Sequence, residues 1–233
     1  MKHHLTSRSF TSVMIMSALV GIVSFTRSEE DTKKPSPQAG QVRVAKLSYA
    51  NGKTTVCFAE GFLTTVARQT SIKVQRSLLT VDLASEDLFS FPFVIFSGEG
   101  SFSLSDKEKK NFKDYVSRGG FVLASAGCSN AAWSQSFEAV LKELFPDAKL
   151  TKADTKHPMF HTIYDIDHLV TKKVTEDPAL FVLQREGKVL LVYTPLGLND
   201  TGNAGGGCCC CGGNELRDAS LINANLLAYA LTR

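Results

Sequence analysis

One stretch constrains the fold more than any other. Residues 93–125 hold an apolar run, FVIFS, then a helical pattern, then a second apolar run, FVLAS. Pro92 and Gly98 bound the first run, which predicts a short buried strand. Ser105 stands where a helix N-cap belongs, and Glu108, three residues on, can reach back to it, the capping-box pattern. Phe112, Tyr115 and Val116 make one apolar face, and Gly119-Gly120 ends the helix. A strand, a capped helix and a strand in this order make a βαβ unit, whose strands run parallel.

The flanking segments extend this pattern. VRVAKLSY (42–49) alternates like a strand, and Asn51-Gly52 is a turn signal. EGFLTTVARQT (60–70) reads as a helix, followed by an extended IKVQRSLLTVDL. Trp133, Phe137, Val140, Leu141 and Leu144 recur at helical spacing up to Pro146. Leu180–Gln184 and Lys188–Thr194 flank Glu186-Gly187, a hairpin signal. A last helix over about 214–231 is apolar nearly all round, so it belongs against the sheet. The expectation is a three-layer α/β domain on a mainly parallel sheet with some antiparallel content.

The N-terminus reads as targeting. Lys2, His3, His4 and Arg8 precede an uncharged apolar stretch, Phe10 to Phe25, and the small residues Thr26 and Ser28 follow. This is the order of a secretory signal, and an uncleaved membrane anchor over 10–25 is the alternative. Residues 29–40 (EEDTKKPSPQAG) read as a polar linker, leaving 41–233 as the domain. The net charge of +3 belongs to residues 1–28, which hold three of the 26 Lys and Arg and none of the 23 Asp and Glu. The remainder is neutral, which argues against a nucleic-acid partner. The expected location is the periplasm or cell envelope, with membrane contact only through the N-terminal segment. Six cysteines in that compartment make redox state matter.

Residues 197–213, GLNDTGNAGGGCCCCGG, are the most unusual segment. Cys208, Cys209, Cys210 and Cys211 support three readings. Thiolates bind zinc or another thiophilic metal, but ligands usually come spaced as Cys-x2–4-Cys, and only Cys208 and Cys211 match. A disulfide between neighbours would be strained, and bonds to Cys57 or Cys128 less so. A small-residue packing loop is the third reading. Glu99, Asn199, Asp200, Asn203, Gly205, Gly206 and Gly207 sit on loops after strands, where α/β proteins place ligands. Cys128 follows FVLAS, the place of a strand-end nucleophile or of a small turn residue. His157, His161 and His168 crowd one segment with Asp154, Asp165 and Asp167. They offer a general base or metal ligand, or are solvated loop histidines.

YANGKTTVCFAEGFLTTVARQTSIKV, FPFVIFSGEGSFSLSDKEKKNFKDYVSRGGFVLASAGCS, HPMFHTIYDI and GLNDTGNAGGGCCCCGGNE together resemble bacterial proteins carrying domain of unknown function 4159. The resemblance runs from about Val42 to the C-terminus. It implies a class I glutamine amidotransferase-like, flavodoxin-like fold akin to the ThuA-like group, with no established activity. It also implies an envelope protein partner, because some members occur near MoxR-type ATPases and von Willebrand-type membrane proteins. Amidotransferases carry the nucleophile in Gly-x-Cys-x-Gly, whereas Cys128 lies in Gly127-Cys128-Ser129-Asn130. They also need His-Pro-Glu after a late strand, where this chain has Pro195-Leu196-Gly197-Leu198-Asn199-Asp200. Without that imidazole a thiol lacks its activating base. The leading expectation is a non-catalytic ligand- or partner-binding envelope domain on an amidotransferase-like scaffold. The alternative is a thiol- or metal-dependent hydrolase or redox protein joining Cys128, His161 and the Cys208–Cys211 loop.

Overall fold

A computed structural model describes residues 40–173, 177–205, 208 and 213–233. They lie within one compact unit, Pro37–Arg233. The stretch read as a targeting segment, residues 1–28, and all of the 29–40 linker but Gly40 fall outside the described residues.

A seven-stranded sheet runs through the unit, in the order β2-β1-β3-β4-β7-β6-β5. The strands are β1 (Val44–Ser48), β2 (Leu79–Asp82), β3 (Phe93–Gly98), β4 (Phe121–Ala126), β5 (Thr151–Lys152), β6 (Phe181–Arg185) and β7 (Lys188–Thr194). The five strands β2, β1, β3, β4 and β7 are parallel, and β6 is antiparallel to both β7 and β5. The helices are α1 (Gly61–Gln69), α2 (Asp106–Ser117), α3 (Ala131–Leu144) and α4 (Ala219–Thr232). Short 3-10 turns occupy Glu86–Ser90, Gly127–Ser129 and Pro158–Phe160.

Alternation along the strands builds the three layers. Val94 and Phe96 of β3 point into a core with Phe112 of α2 and Trp133 and Phe137 of α3. Phe93 and Ile95 point the other way, among Phe62 and Leu63 of α1 and Ile222, Leu226 and Leu227 of α4. Because both faces are covered, β3 and β4 are buried along their whole length. The capping box of α2 is present as the sequence predicts, and Glu108 does more than close it. Its Oε2 accepts from the Ser105 amide at 2.7 Å, while Oε1 accepts from the Ala50 amide at 2.6 Å. The helix start is thereby fastened to the end of β1.

Two sequence expectations change. The last helix begins at Ala219 rather than 214, because Glu215 and Leu216 pair as extended bridges with Gly197 and Thr171. Only Leu79–Asp82 of the extended 72–83 segment is a strand, although Val74 also bridges Val42. Helix α4 is not purely apolar inside. Asn225 is fully buried, accepts from the amides of Ile163 and Tyr164, and donates to the carbonyls of Phe160 and Tyr164. It straps the histidine-bearing segment onto the helix.

Candidate functional site

Parallel strands bring their carboxyl ends to one edge, and the loops that leave it carry most of the residues singled out above. Three buried hydroxyl residues mark where the apolar runs stop. Ser97 pairs with Ser125 in register, and Ser125 with Thr194. Ser97 and Ser125 are the penultimate residues of β3 and β4, and Thr194 is the last of β7.

Asn199, 2% exposed, sits above this row. Its Oδ1 accepts from Ser97 Oγ and Ser125 Oγ, each at 3.3 Å. Its Nδ2 donates to Thr55 Oγ1 at 3.0 Å and to the Cys57 carbonyl at 2.8 Å. All four of the polar sites on the amide are engaged. Asn199, on the loop after β7, is therefore a buried tie to the ends of strands β3 and β4 and to the loop after β1, and not the ligand-facing loop residue the sequence suggested. Its carbonyl continues the tie by accepting from the Ala59 amide at 2.8 Å.

Cys57 and Cys208 form a disulfide with Cα atoms 5.5 Å apart, across a sequence separation of 151. It joins the same two loops as the Asn199 amide. Cys128 is also disulfide-bonded, and its sulfur lies 3.4 Å from Glu99 Oε1. A disulfide sulfur carries no hydrogen, so this is a contact rather than a hydrogen bond. Cys128 and Ser129 both adopt left-handed backbone, at φ 52° and 54°. That conformation costs roughly 1–2 kcal/mol for a residue with a Cβ, and local bonds hold it. Asn130 N donates to the Gly127 carbonyl, and Asn130 Oδ1 accepts from the amides of Gly100 and Trp133. Ser129 Oγ donates to the Asn214 carbonyl and accepts from the Asn214 amide. Glycine is required at 127, where a Cβ would stand 2.9 Å from the Gly98 carbonyl oxygen.

Beneath the edge, Trp133 Nε1 donates to Tyr49 Oη at 2.7 Å, and Tyr49 Oη donates to the Ser97 carbonyl at 3.3 Å. Burial pushes the Tyr49 phenol up to about 12, with the Trp133 hydrogen bond working against it. Beside this pair opens a cleft of about 290 Å³, lined by Tyr49, Lys53, Thr54, Val56, Gly98 and Glu99 among others. The hydroxyl of Thr54 is buried in its wall with no hydrogen-bond partner among the described residues. Val56 stands on its rim, 83% exposed. A small polar ligand entering the cleft would meet the cation of Lys53 and the carboxylate of Glu99.

His161 does not join this edge, which corrects the proposed pairing with Cys128. One ring nitrogen lies 3.0 Å from Asp165 Oδ1 and the other 2.7 Å from the Thr155 carbonyl. The Asp165 bond first, then the Thr155 carbonyl, hold its pKa above the ordinary imidazole value. His157 accepts from the Met159 amide and stands edge-on to Tyr229 of α4, and burial lowers its pKa against the pull of Asp154. His168 lines a separate cleft with Asp154 and Asp167. Among the described residues no group of three or more His, Cys, Asp or Glu could hold a metal ion. The zinc reading also loses Cys208 and Cys57, whose sulfurs are bonded to each other.

Of the remaining loop residues, Asp200 has a left-handed backbone and accepts from Asn203 Nδ2, while Gly205 is exposed. Gly206, Gly207, Cys209, Cys210 and Cys211 lie outside the described residues. Glu215, 3% exposed, was missed as a candidate. It pairs with Lys172, accepts from Thr201 Oγ1 at 2.9 Å, and packs where a Cβ on Gly197 would stand 2.7 Å from its Cγ. Ser97, Ser125 and Thr55 were missed too. The signal available for the two serines was a hydroxyl ending each apolar run.

A family model described as Domain of unknown function (DUF4159) matches residues 43–231. No curated protein matches the chain.

Proposed function

This chain belongs to the DUF4159 family, and from that premise we propose an exported ligand- or partner-binding domain of the cell envelope, built on an amidotransferase-like scaffold. The observation that carries the reading is the state of Cys128. It stands after β4, where such a scaffold would hold a nucleophile, yet its sulfur is committed to a disulfide. A thiol nucleophile needs a free sulfur and a base within reach. The strand order and the left-handed turn between β4 and α3 support the scaffold. Binding falls to the cleft between the loop after β1 and Glu99, whose wall the Cys57–Cys208 disulfide and Asn199 fix. Fixed loops lose little entropy on meeting a ligand. Residues 10–25 would deliver the domain to the envelope, and a protein partner there is the second kind of occupant.

The test is a free-thiol titration of protein recovered from the periplasm, alongside amide and ester hydrolysis with and without dithiothreitol. No free Cys128 thiol and no hydrolysis in either condition are expected. Turnover that vanishes in Cys128→Ser would overturn the reading. One observation favours the alternative of a thiol-dependent hydrolase or redox protein: the left-handed backbone at Cys128. Such strain clusters at functional sites. That alternative requires turnover to appear on reduction.

A further inference from the structure

The edge opposite the cleft, where the parallel strands begin, is strongly basic. Arg43 precedes β1, Arg118 caps α2 just before β4, Arg185 and Lys188 pair in the β6–β7 hairpin, and Arg233 follows α4. Contacts link the four arginines into one surface. The Arg43 guanidinium lies 4.8 Å over the Phe91 ring and donates to Ser90 Oγ. Arg118 lies 4.5 Å over Phe89, and Arg233 lies 5.0 Å over Phe121 while donating to the Gly119 carbonyl. Arg185 donates to the Ser117 carbonyl at 2.8 Å. None of these five cations is in an ion pair among the described residues. The carboxylates facing these cations are Asp114, which Lys110 binds and whose charge Lys113 and Arg118 also feel, Asp147 beside Arg185, Glu186 in the hairpin and the main-chain carboxylate of Arg233; with Lys110 and Lys113 counted, the cations still outnumber them.

Guanidinium groups laid on aromatic rings are already ordered, so they lose little freedom on meeting a phosphate, and they grip it with two parallel bonds. A cleft of about 430 Å³ opens beside Arg185, with Lys113 and Ser117 at its polar side and Val116, Phe145 and Leu190 at its apolar side. The chain enters the unit here too, because Val42 pairs with Lys73 and Gln75 just before β1.

We propose that this edge rests on an anionic phospholipid surface, its arginines meeting headgroup phosphates while the carboxyl-edge cleft faces away from the bilayer. The inference rests on the envelope location proposed above. A lipid surface is favoured over a nucleic acid because the cleft adjoining the arginines is half apolar, lined by Val116, Phe145 and Leu190. Each basic residue near such a surface strengthens attachment about fivefold, so neutralising three should weaken it about a hundredfold.

The test is hydrogen–deuterium exchange of the full chain on vesicles of phosphatidylcholine alone or mixed with phosphatidylglycerol. Amides of 118–121 and 185–188 should gain protection on the anionic vesicles only, and lose it as salt screens the charges. The variant Arg118→Gln/Arg185→Gln/Arg233→Gln should lose that protection, and its lysine counterpart, which keeps the charge, should retain it. Equal protection on neutral vesicles, protection on neither, loss in both variants alike, or stronger protection by duplex DNA would overturn the inference. Cytoplasmic location in fractionated cells, with the vesicle result intact, would instead sink the envelope reading alone.

Discussion

The side-chain amide of Asn199 donates to the backbone carbonyl of Cys57 at 2.8 Å, across 142 residues of sequence. Cys57 is also the residue that Cys208 holds by a disulfide. A hydrogen-bonded tie and a covalent one thus join the same two loops, and the wall of the candidate cleft hangs on both.

Replacing Asn199 by alanine should leave Thr55, Ser97, Ser125 and the Cys57 carbonyl short of a buried partner. An orphaned buried polar group costs about 1–3 kcal/mol, and the two serines can partly pair with each other, so a loss of about 3 kcal/mol is expected. Urea unfolding of Asn199→Ala measures it. A loss below about 1 kcal/mol would mean that water replaces the amide.

The disulfide should stabilise chiefly by restricting the unfolded chain. For a separation of 151 residues, removing it in Cys57→Ser/Cys208→Ser should cost about 3–5 kcal/mol under non-reducing conditions. The cleft-wall amides of 54–58 should exchange faster in the variant, while β3 and β4 amides keep their relative protection. Uniform loosening of the whole sheet would show that the bond restrains more than the loop.

The two halves of the α2 cap should not be equal. Ser105→Ala removes one N-cap acceptor and should cost about 1 kcal/mol. Glu108→Ala frees the amides of both Ser105 and Ala50, and Glu108 is 6% exposed. It should cost about 3 kcal/mol. Thermal melts of the two variants check the order, and a reversal would place the main value of the box in the serine.

Tyr49 predicts an alkaline limit. Its phenol is raised from 10.0 to about 12 in the folded protein, chiefly by burial. Between these values the unfolded chain has lost the proton and the folded one keeps it, so stability falls as pH rises. The contribution is complete below pH 10 and is lost by about pH 12, with a size of about 2–3 kcal/mol. Tyr49→Phe should flatten this part of the stability–pH curve, at the cost of leaving Trp133 Nε1 without its acceptor. An unchanged slope would assign the alkaline transition to Tyr115 or Tyr193, whose phenols burial also raises.

Local rules acting within a dozen residues made several features readable from the sequence alone. FVIFS and FVLAS were buried strands because an unbroken apolar run of that length fits between two helical layers. The Ser105–Glu108 box and the left-handed pair Glu186-Gly187 appeared where residue type required them. The sequence determined the layered α/β architecture, the parallel βαβ core, the cap of α2 and the family likeness. It could not determine which of 15 cysteine pairings forms, because proximity after folding chooses among them. Nor could it show that Asn199 turns inward, since a polar residue on a glycine-rich loop looks solvated until four buried partners surround it. His161 and Cys128 were grouped by residue type, and only the packing of 158–166 on Asn225 separates them. Tertiary structure decided these points because each depends on where distant strand ends meet, and local sequence carries no record of that distance.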